Sequence, residues 1–269
     1  REVVEVEIPH AQARRMSGMI VSDPRKAYAE ATSQLISVNE RSVKVAILVD
    51  VPALGLATYT VQLQSSQDPH VNPLQVSPDA RTLENERYAV KIDARGDIAS
   101  IHDKSLDKEL LSAPARIGLF YENPSQWPAW NQDWADRQKP ATSYLGDTGT
   151  PIIRVVERGP ARVAVEVVRE AEGSTWTQRI SLAAASARVE IDTTVDWNTR
   201  ERSARAEFPL TASNPTATFD IQTGVIERGN SHERQYEYPF HQWLDLTDKS
   251  DSHGVSVMCD SKYACDKPS

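Results

Sequence analysis

Apolar and polar residues alternate with a period of two along much of this chain. The clearest stretch runs from Val189 to Trp197, where mostly apolar odd positions alternate with Glu190, Asp192 and Asp196. Successive side chains of a strand point to opposite faces, so this alternation predicts a half-buried β-strand. Comparable patterns predict further strands at Val3–Ile8, Val43–Ile47, Thr58–Leu63, Ile152–Val156, Val163–Val167, Ser174–Leu182, Thr218–Gln222 and Gly254–Cys259.

A β-hairpin is predicted from two short runs, Tyr88–Asp93 and Ile98–His102. Gly96 lies between them and can supply the positive φ of a tight turn. The 16 prolines and 11 glycines are spread along the chain, which suits many connected strands better than a helical bundle. The Ala-rich segment Pro24–Leu35 is flanked by strand patterns, so no long helix is expected there. The sequence therefore predicts an all-β fold.

Two structural units are expected within the 269 residues. The segment Gln64–Asp79 is polar, contains prolines and has no periodicity, which predicts a linker. We therefore assign residues 1–78 to a small β-sandwich with its linker and residues 79–269 to a larger β domain.

Charge and hydropathy exclude several classes of partner. Lys and Arg total 30 against 38 Asp and Glu, a net charge of −8 that repels nucleic acid and anionic membrane surfaces. The longest strictly apolar run is five residues, Val45–Val49, far below the ~20 needed to span a bilayer. We predict neither a nucleic-acid nor a membrane partner. No signal peptide is visible, which favours a cytoplasmic location, although a start at Arg1 also suits a fragment of a longer protein.

Metal and nucleophile signatures are missing. Cys259 and Cys265 are too few for a disulfide framework or a structural zinc site, and the six histidines form no metal-ligand spacing. His241 lies between aromatic residues, where a hydrogen-bonded core histidine is the expected interpretation. Glycoside hydrolysis needs a pair of carboxyl groups, and spacing alone cannot choose one among 38.

One segment, Tyr121–Trp134, combines tryptophans with amides and carboxylates. It holds three of the six tryptophans and two prolines, so it is predicted to be a loop. Aromatic rings stack on the C–H faces of sugars, while amides and carboxylates bind hydroxyl groups. The sugar-facing candidates are Trp127, Trp130, Asp133 and Trp134. The alternative, that these tryptophans plug the edge of a sandwich core, stays open.

Five phrases spread from Val51 to Tyr263 form an ordered set of motifs. They are Val51–Tyr59, then Leu83–Tyr88 with Gly96–Lys104, then Leu119–Asn131, Phe240–Leu246 and Asp260–Tyr263. Together they resemble the C-terminal β region of the retaining, zinc-dependent α-mannosidases of glycoside hydrolase family 38. The chain departs from the family pattern at Pro128 and Asn131, where Asp is common, and at Ala264, where the family has Gly.

This resemblance implies a fold and a division of labour. The fold would be a small β-sandwich followed by a large galactose-mutarotase-like supersandwich, truncated near Ser269. The family's zinc ligands, nucleophilic Asp and acid/base Asp belong to an N-terminal α/β domain, and no residue of this chain matches those motifs. The resemblance thus implies no catalytic residue, metal ligand or cofactor in this chain, with zinc in the missing catalytic domain.

The function implied is that of a carbohydrate-associated β domain of a retaining α-mannosidase that hydrolyses α-mannosides. Its expected partners are α-mannoside carbohydrate and its own N-terminal catalytic domain, and the chain alone is expected to be inactive. One alternative is a free-standing carbohydrate-binding module. A less favoured alternative is a mutarotase-like enzyme that uses His241 and Glu237.

Overall fold

β-strands make up nearly all the regular structure of the chain. The computed structural model describes residues 1–11, 13–65, 74–128, 130–250 and 252–268. Helical structure in these residues is limited to a four-residue α-helix, α1 (Trp134–Arg137), and two 3-10 turns, Ala13–Arg15 and Pro24–Lys26. Across the same ranges, none of the helices has the length and apolar character that a membrane span requires. The predicted all-β class is confirmed.

The first six strands form a small β-sandwich. They are β1 (Glu2–Pro9), β2 (Gly18–Asp23), β3 (Ala29–Glu30), β4 (Ser33–Val38), β5 (Ser42–Val49) and β6 (Thr60–Gln64). One antiparallel sheet has the order β1-β5-β4 and the other the order β3-β2-β6. Val43 and Val45 of the first sheet and Val21 of the second are fully buried in a shared core. The period-two pattern of β5 therefore supplies one wall of this sandwich.

A larger set of sheets follows from residue 74 onward. Its strands are β7 (Gln75–Val76), β8 (Thr82–Glu84), β9 (Tyr88–Ile92), β10 (Ile98–Asp103), β11 (Lys108–Glu109), β12 (Arg116–Tyr121), β13 (Ser143–Tyr144), β14 (Ile152–Arg158), β15 (Arg162–Ala171), β16 (Ser174–Ala183), β17 (Glu190–Asp196), β18 (Arg202–Glu207), β19 (Ala217–Ile221), β20 (Gly224–Arg228), β21 (Tyr238–Pro239), β22 (Trp243–Thr247), β23 (Gly254–Met258) and β24 (Ala264–Cys265).

The main core lies between two of these sheets. One has the order β11-β10-β9-β8-β7 and the other the order β14-β15-β16-β17. Leu83 and Val90 from the first and Val163, Val165 and Leu182 from the second are fully buried together. Smaller sheets, β13-β12-β18 and β20-β19-β22-β23, extend the assembly. The predicted fold class, a small β-sandwich followed by a large supersandwich, is confirmed.

The predicted hairpin is formed by β9 and β10, and Gly96 is required at its turn for two reasons. Its backbone φ is +83°, a conformation that residues with a Cβ rarely adopt. A Cβ atom at this position would also lie 2.4 Å from Cγ1 of Val167 in the facing sheet. The turn therefore packs directly against the opposite wall of the core.

The predicted linker is wrong in its last part. Gln75–Val76 forms β7, which pairs with β8, and Leu74 and Val76 are buried in the larger core. A strand of two residues is too short to show a period in the sequence. Residues 66–73 of the same segment lie outside the described residues, and the boundary between residues 78 and 79 stays a prediction.

Polar contacts join the small sandwich to the larger one. The Oε1 atom of Gln34 accepts hydrogen bonds from the backbone N–H groups of Ala161, at 3.2 Å, and Arg162, at 2.9 Å. The Arg162 guanidinium pairs with Glu5 of β1 and, at 2.7 Å, with Glu157. Burial opposes ionisation of Glu5, but hydrogen bonds and charges from Lys44 and Arg162 outweigh it and lower its pKa to about 2.

Candidate functional site

The tryptophan-containing segment leaves the end of a central strand. β12 is paired on both sides, with β13 and β18, and most of its side chains are buried. Beyond Tyr121 the described residues, 122–128 and 130–133, form no helix or strand before α1 begins at Trp134. Pro124 and Pro128, which cannot donate backbone hydrogen bonds, keep this stretch out of the sheet. We call residues 122–133 the tryptophan loop.

Trp127 and Trp130 lie on the outside of the protein. Trp127 is 68% exposed and Trp130 is 91% exposed. Trp127 has a φ of +51°, and its carbonyl oxygen accepts hydrogen bonds from the backbone N–H groups of Trp130, at 2.8 Å, and Asn131, at 2.9 Å. This tight turn directs both indoles into solvent. The interpretation of these two residues as plugs of the core is therefore wrong.

Asp133 holds the tryptophan loop in shape. Its Oδ2 atom accepts a hydrogen bond from the Ser125 backbone N–H at 3.0 Å, and its Oδ1 atom accepts one from Asn131 Nδ2 at 2.9 Å. Its backbone carbonyl oxygen accepts from the Asp136 N–H of α1 at 2.9 Å. Both carboxylate oxygens thus have partners within the loop. A direct contact between Asp133 and a sugar stays a prediction.

Trp134 is half-buried and anchors the loop. Its ring packs against Tyr236 with a centroid separation of 5.1 Å and an interplanar angle of 40°. The Tyr236 hydroxyl donates a hydrogen bond to the backbone carbonyl oxygen of Gln132 at 2.7 Å. The sequence thus places Trp127, Trp130 and Trp134 together, but the structure separates two exposed rings from one packed ring.

An ionic cluster lies at the base of the loop, centred on the nearly buried side chain of Arg137 in α1. The Arg137 side chain is only 6% exposed, pairs with Asp266 and lies 3.8 Å from a carboxylate oxygen of Glu237. It also donates a hydrogen bond to Oε1 of Gln132, and its guanidinium lies 5.7 Å from the Tyr236 ring centroid. Arg137 therefore links the loop to the C-terminal segment of the chain.

The same region contains a second cation. The guanidinium of Arg205 lies 4.1 Å from the ring centroid of Phe120, and it forms no hydrogen bond or ion pair within the described ranges. Burial, together with the positive charge of Arg137, lowers the pKa of Arg205 to about 10. Burial also raises the pKa of the Cys265 thiol to about 11. The base of the loop is therefore a poorly solvated region in which two guanidinium groups lie among carboxylates.

Sequence reasoning missed this cluster. Gln132 and Arg137 are close to the tryptophans in the chain, and this proximity was the one feature of the sequence that could have pointed to the cluster. Arg205, Tyr236 and Asp266 come from distant segments that only the fold brings to this place.

The alternative site residues do not form a buried centre. His241 is exposed, so its assignment to the core is wrong. The backbone N–H groups of His241 and of the next two residues donate hydrogen bonds to Asp220 Oδ1. The buried aromatic residues of this segment are Tyr238 and Phe240. Glu237 is exposed as well. Throughout the described part of the chain, no three His, Cys, Asp or Glu side chains are grouped as a metal ion would require.

Comparison with known proteins identifies the family. The model of the glycosyl hydrolases family 38 C-terminal domain matches residues 83–267. The chain belongs to glycosyl hydrolase family 38. The family 38 match covers the larger unit from β8 onward, including the tryptophan loop and the Arg137 cluster.

Several proteins of this family resemble the chain. It is 26% identical to α-mannosidase G of Dictyostelium discoideum over an alignment of 195 residues. This alignment covers 67% of this chain and 17% of that protein. It is also 26% identical to human α-mannosidase 2C1 over an alignment of 230 residues. That alignment covers 80% of this chain and 21% of the human protein. The chain thus spans about a fifth of the length of these curated relatives.

A solved structure has the same fold. An α-mannosidase from Enterococcus faecalis V583 superposes with a TM-score of 0.67 at 14% identity, over 99% of this chain and 39% of that one. At this identity the likeness shows the fold alone. The resemblance to family 38, made from short motifs, is confirmed.

Proposed function

We propose that this chain is the C-terminal β portion of an α-mannosidase, and that its tryptophan loop contributes to the rim of the sugar site. The observation that carries the proposal is the match of residues 83–267 to the C-terminal domain of family 38. The exposed indoles of Trp127 and Trp130 supply flat apolar surfaces that suit the C–H face of a sugar ring. Asp133 and the Arg137 cluster hold these rings in place.

The catalytic chemistry is assigned to another part of the polypeptide. A retaining glycosidase uses two carboxyl groups about 5–5.5 Å apart, one as acid/base and one as nucleophile. The carboxylates of the tryptophan loop base, Glu237 and Asp266, face Arg137 instead, and Asp133 is held by Ser125 and Asn131. The described residues do not fit a zinc ion either. The zinc ion that the resemblance to family 38 implies is proposed for the region that accompanies this domain in the full enzyme.

We expect the complete reading frame to hydrolyse an aryl α-mannoside and residues 1–269 alone to show no turnover. Both proteins would be assayed at equal molar concentration by release of the aryl group, before and after treatment with a metal chelator. Chelation should abolish the turnover of the complete protein, because a bound zinc ion is proposed for the rest of the enzyme. Turnover by residues 1–269 that survives chelation would contradict this assignment.

A free-standing carbohydrate-binding module is the second candidate, and the exposure of Trp127 and Trp130 favours it. In that case residues 1–269 should bind mannose or mannan in a calorimetric titration, and Trp130→Ala should weaken binding about tenfold or more by removing a stacking surface. Trp130→Phe is the control, because it keeps an aromatic face. A flat titration with the unmodified chain argues against the module and leaves the α-mannosidase proposal intact.

A further inference from the structure

An uncharged apolar loop projects from the small β-sandwich and has no role in the tryptophan site. Residues 51–57, which we call the leucine loop, connect β5 to the segment leading into β6 and contain no charged residue. Leu54 is fully exposed and Leu56 is 95% exposed, and Val51 is also exposed. Isolated exposed leucines are common, but a continuous apolar segment turned outward marks an interaction surface.

The leucine loop is held in a defined shape. Its one internal turn is closed by a hydrogen bond from the Gly55 N–H to the Pro52 carbonyl oxygen at 3.1 Å. Leu54 has a φ of +54°, in the left-handed region that residues with a Cβ rarely occupy. A conformation that disfavours the residue it carries persists only where the surrounding structure determines it.

That surrounding structure is a polar clamp at the base of the loop. The Tyr59 hydroxyl accepts a hydrogen bond from the Asp50 N–H at 2.7 Å, which joins the two ends of the loop. Arg25 donates to the Asp50 carbonyl oxygen at 2.6 Å and to the Tyr59 hydroxyl at 3.2 Å. Arg25 is itself fixed by a two-point contact with the buried carboxylate of Asp23, at 3.0 and 2.8 Å.

Charged residues at the base of the leucine loop lie beside its apolar segment, as in a protein–protein interface. Lys26 and Asp50 form a partly exposed ion pair at 2.8 Å beside the apolar segment. An apolar centre beside charged residues is the usual arrangement of a protein–protein contact. The loop offers no charge to a phosphate or nucleic acid. Its side chains also carry no hydrogen-bonding groups for a polysaccharide. A protein surface with an apolar recess is the chemistry that fits.

We infer that the leucine loop docks into an apolar recess on the remaining part of the same family 38 polypeptide. This inference rests on the proposed function. Two observations favour this partner over a second copy of the chain. Curated relatives are about five to six times as long as the part of them that aligns with this chain, so a large protein surface accompanies this domain in them. The loop also precedes the matched C-terminal domain, which begins at residue 83.

The test compares one double variant in two contexts. Leu54→Asp with Leu56→Asp would be introduced into residues 1–269 and into the complete reading frame, and the Tm of each protein would be measured. In residues 1–269 the loop is solvent-exposed, so the Tm should stay unchanged. In the complete protein the carboxylates would be forced into an apolar contact, so the Tm should fall by about 5 °C or more.

Two control variants make the result specific. Leu54→Met with Leu56→Met keeps the apolar surface and should leave both Tm values unchanged. Leu106→Asp adds a charge at an exposed turn elsewhere and should also change neither. Hydrogen exchange at residues 51–57 should rise in the complete protein carrying the double aspartate variant and not in residues 1–269.

Other outcomes would overturn the inference. Equal Tm values for variant and parent in the complete protein would show that the loop docks nowhere. An equal fall in both contexts would show that the substitutions damage the small sandwich itself. Self-association of residues 1–269 that the double aspartate variant abolishes, with no effect in the complete protein, would assign the loop to a second copy. The α-mannosidase assay on the unmodified complete protein judges the proposed function separately.

Discussion

Asp97→Ala should lower the free energy of unfolding of this chain by about 3–5 kcal/mol. Asp97 follows the turn between β9 and β10, and its carboxylate joins that hairpin to the rest of the larger sandwich. Oδ1 contacts Nη1 of Arg169 in β15 at 2.6 Å, and Oδ2 contacts Nε of Arg116 in β12 at 2.7 Å. The side chains of Asp97 and Arg169 are 1% and 2% exposed. Removing the carboxylate would leave a buried guanidinium without its counter-ion.

Urea unfolding at neutral pH measures this effect, and Asp147→Ala is the matched control. Asp147 pairs with Arg116 at 2.7 Å but is partly exposed, so its loss should cost about 1 kcal/mol or less. A double variant, Asp97→Ala with Arg169→Met, should recover part of the loss because it removes the unpaired charge. The expected role of Asp97 is refuted if its substitution costs no more than that of Asp147.

Arg137→Ala should cost about 2–3 kcal/mol and release the tryptophan loop, because its nearly buried guanidinium connects three segments. The expected cost is below that of breaking a fully buried ion pair, since the partner Asp266 is partly exposed and water can solvate it. Gln132 would lose a donor at the base of the loop, and the Tyr236 ring would lose a neighbouring cation. The tryptophan loop should then open more often than the sheets around it.

Hydrogen exchange at residues 122–137, combined with urea unfolding, measures this release. Lys139→Ala is the control on the same segment, because the Lys139 side chain is 54% exposed and its ion pair with Asp136 should contribute little. In the complete enzyme the Arg137 variant should raise KM for an α-mannoside more than it lowers kcat, since the loop is proposed to position sugar. Unchanged exchange in the loop together with unchanged stability would refute the anchoring role.

Local pattern was sufficient for much of the fold. β9, β23 and the first seven residues of β16 alternate between more and less buried positions, so the period of two appears directly in their sequences. The hairpin of β9 and β10 was predictable because its turn demands Gly96. By contrast, β12 was missed: four successive residues, Ile117–Phe120, are buried, and a strand buried on both faces shows no alternation.

The candidate site was also predictable from the sequence only in part. Its chemical character was readable from the sequence, since Trp127, Trp130 and Asp133 lie within a few residues of one another. Their roles were not readable. The turn at Trp127 decides that two rings face solvent, while Tyr236, about a hundred residues away in the chain, decides that Trp134 is packed. His241 shows the converse, because its aromatic neighbours are buried while its own side chain is exposed.

By itself the sequence determined the all-β class, the position of the hairpin, the tryptophan loop and, through short ordered motifs, membership of family 38. These features depend on residues close together in the chain, where side-chain alternation and backbone preferences act. Only the tertiary structure decided which tryptophans are exposed, which arginines surround the base of their loop and how the leucine loop is held outward. Those properties arise from contacts between residues far apart in sequence, and the burial that sets their energies exists only once the sheets have packed.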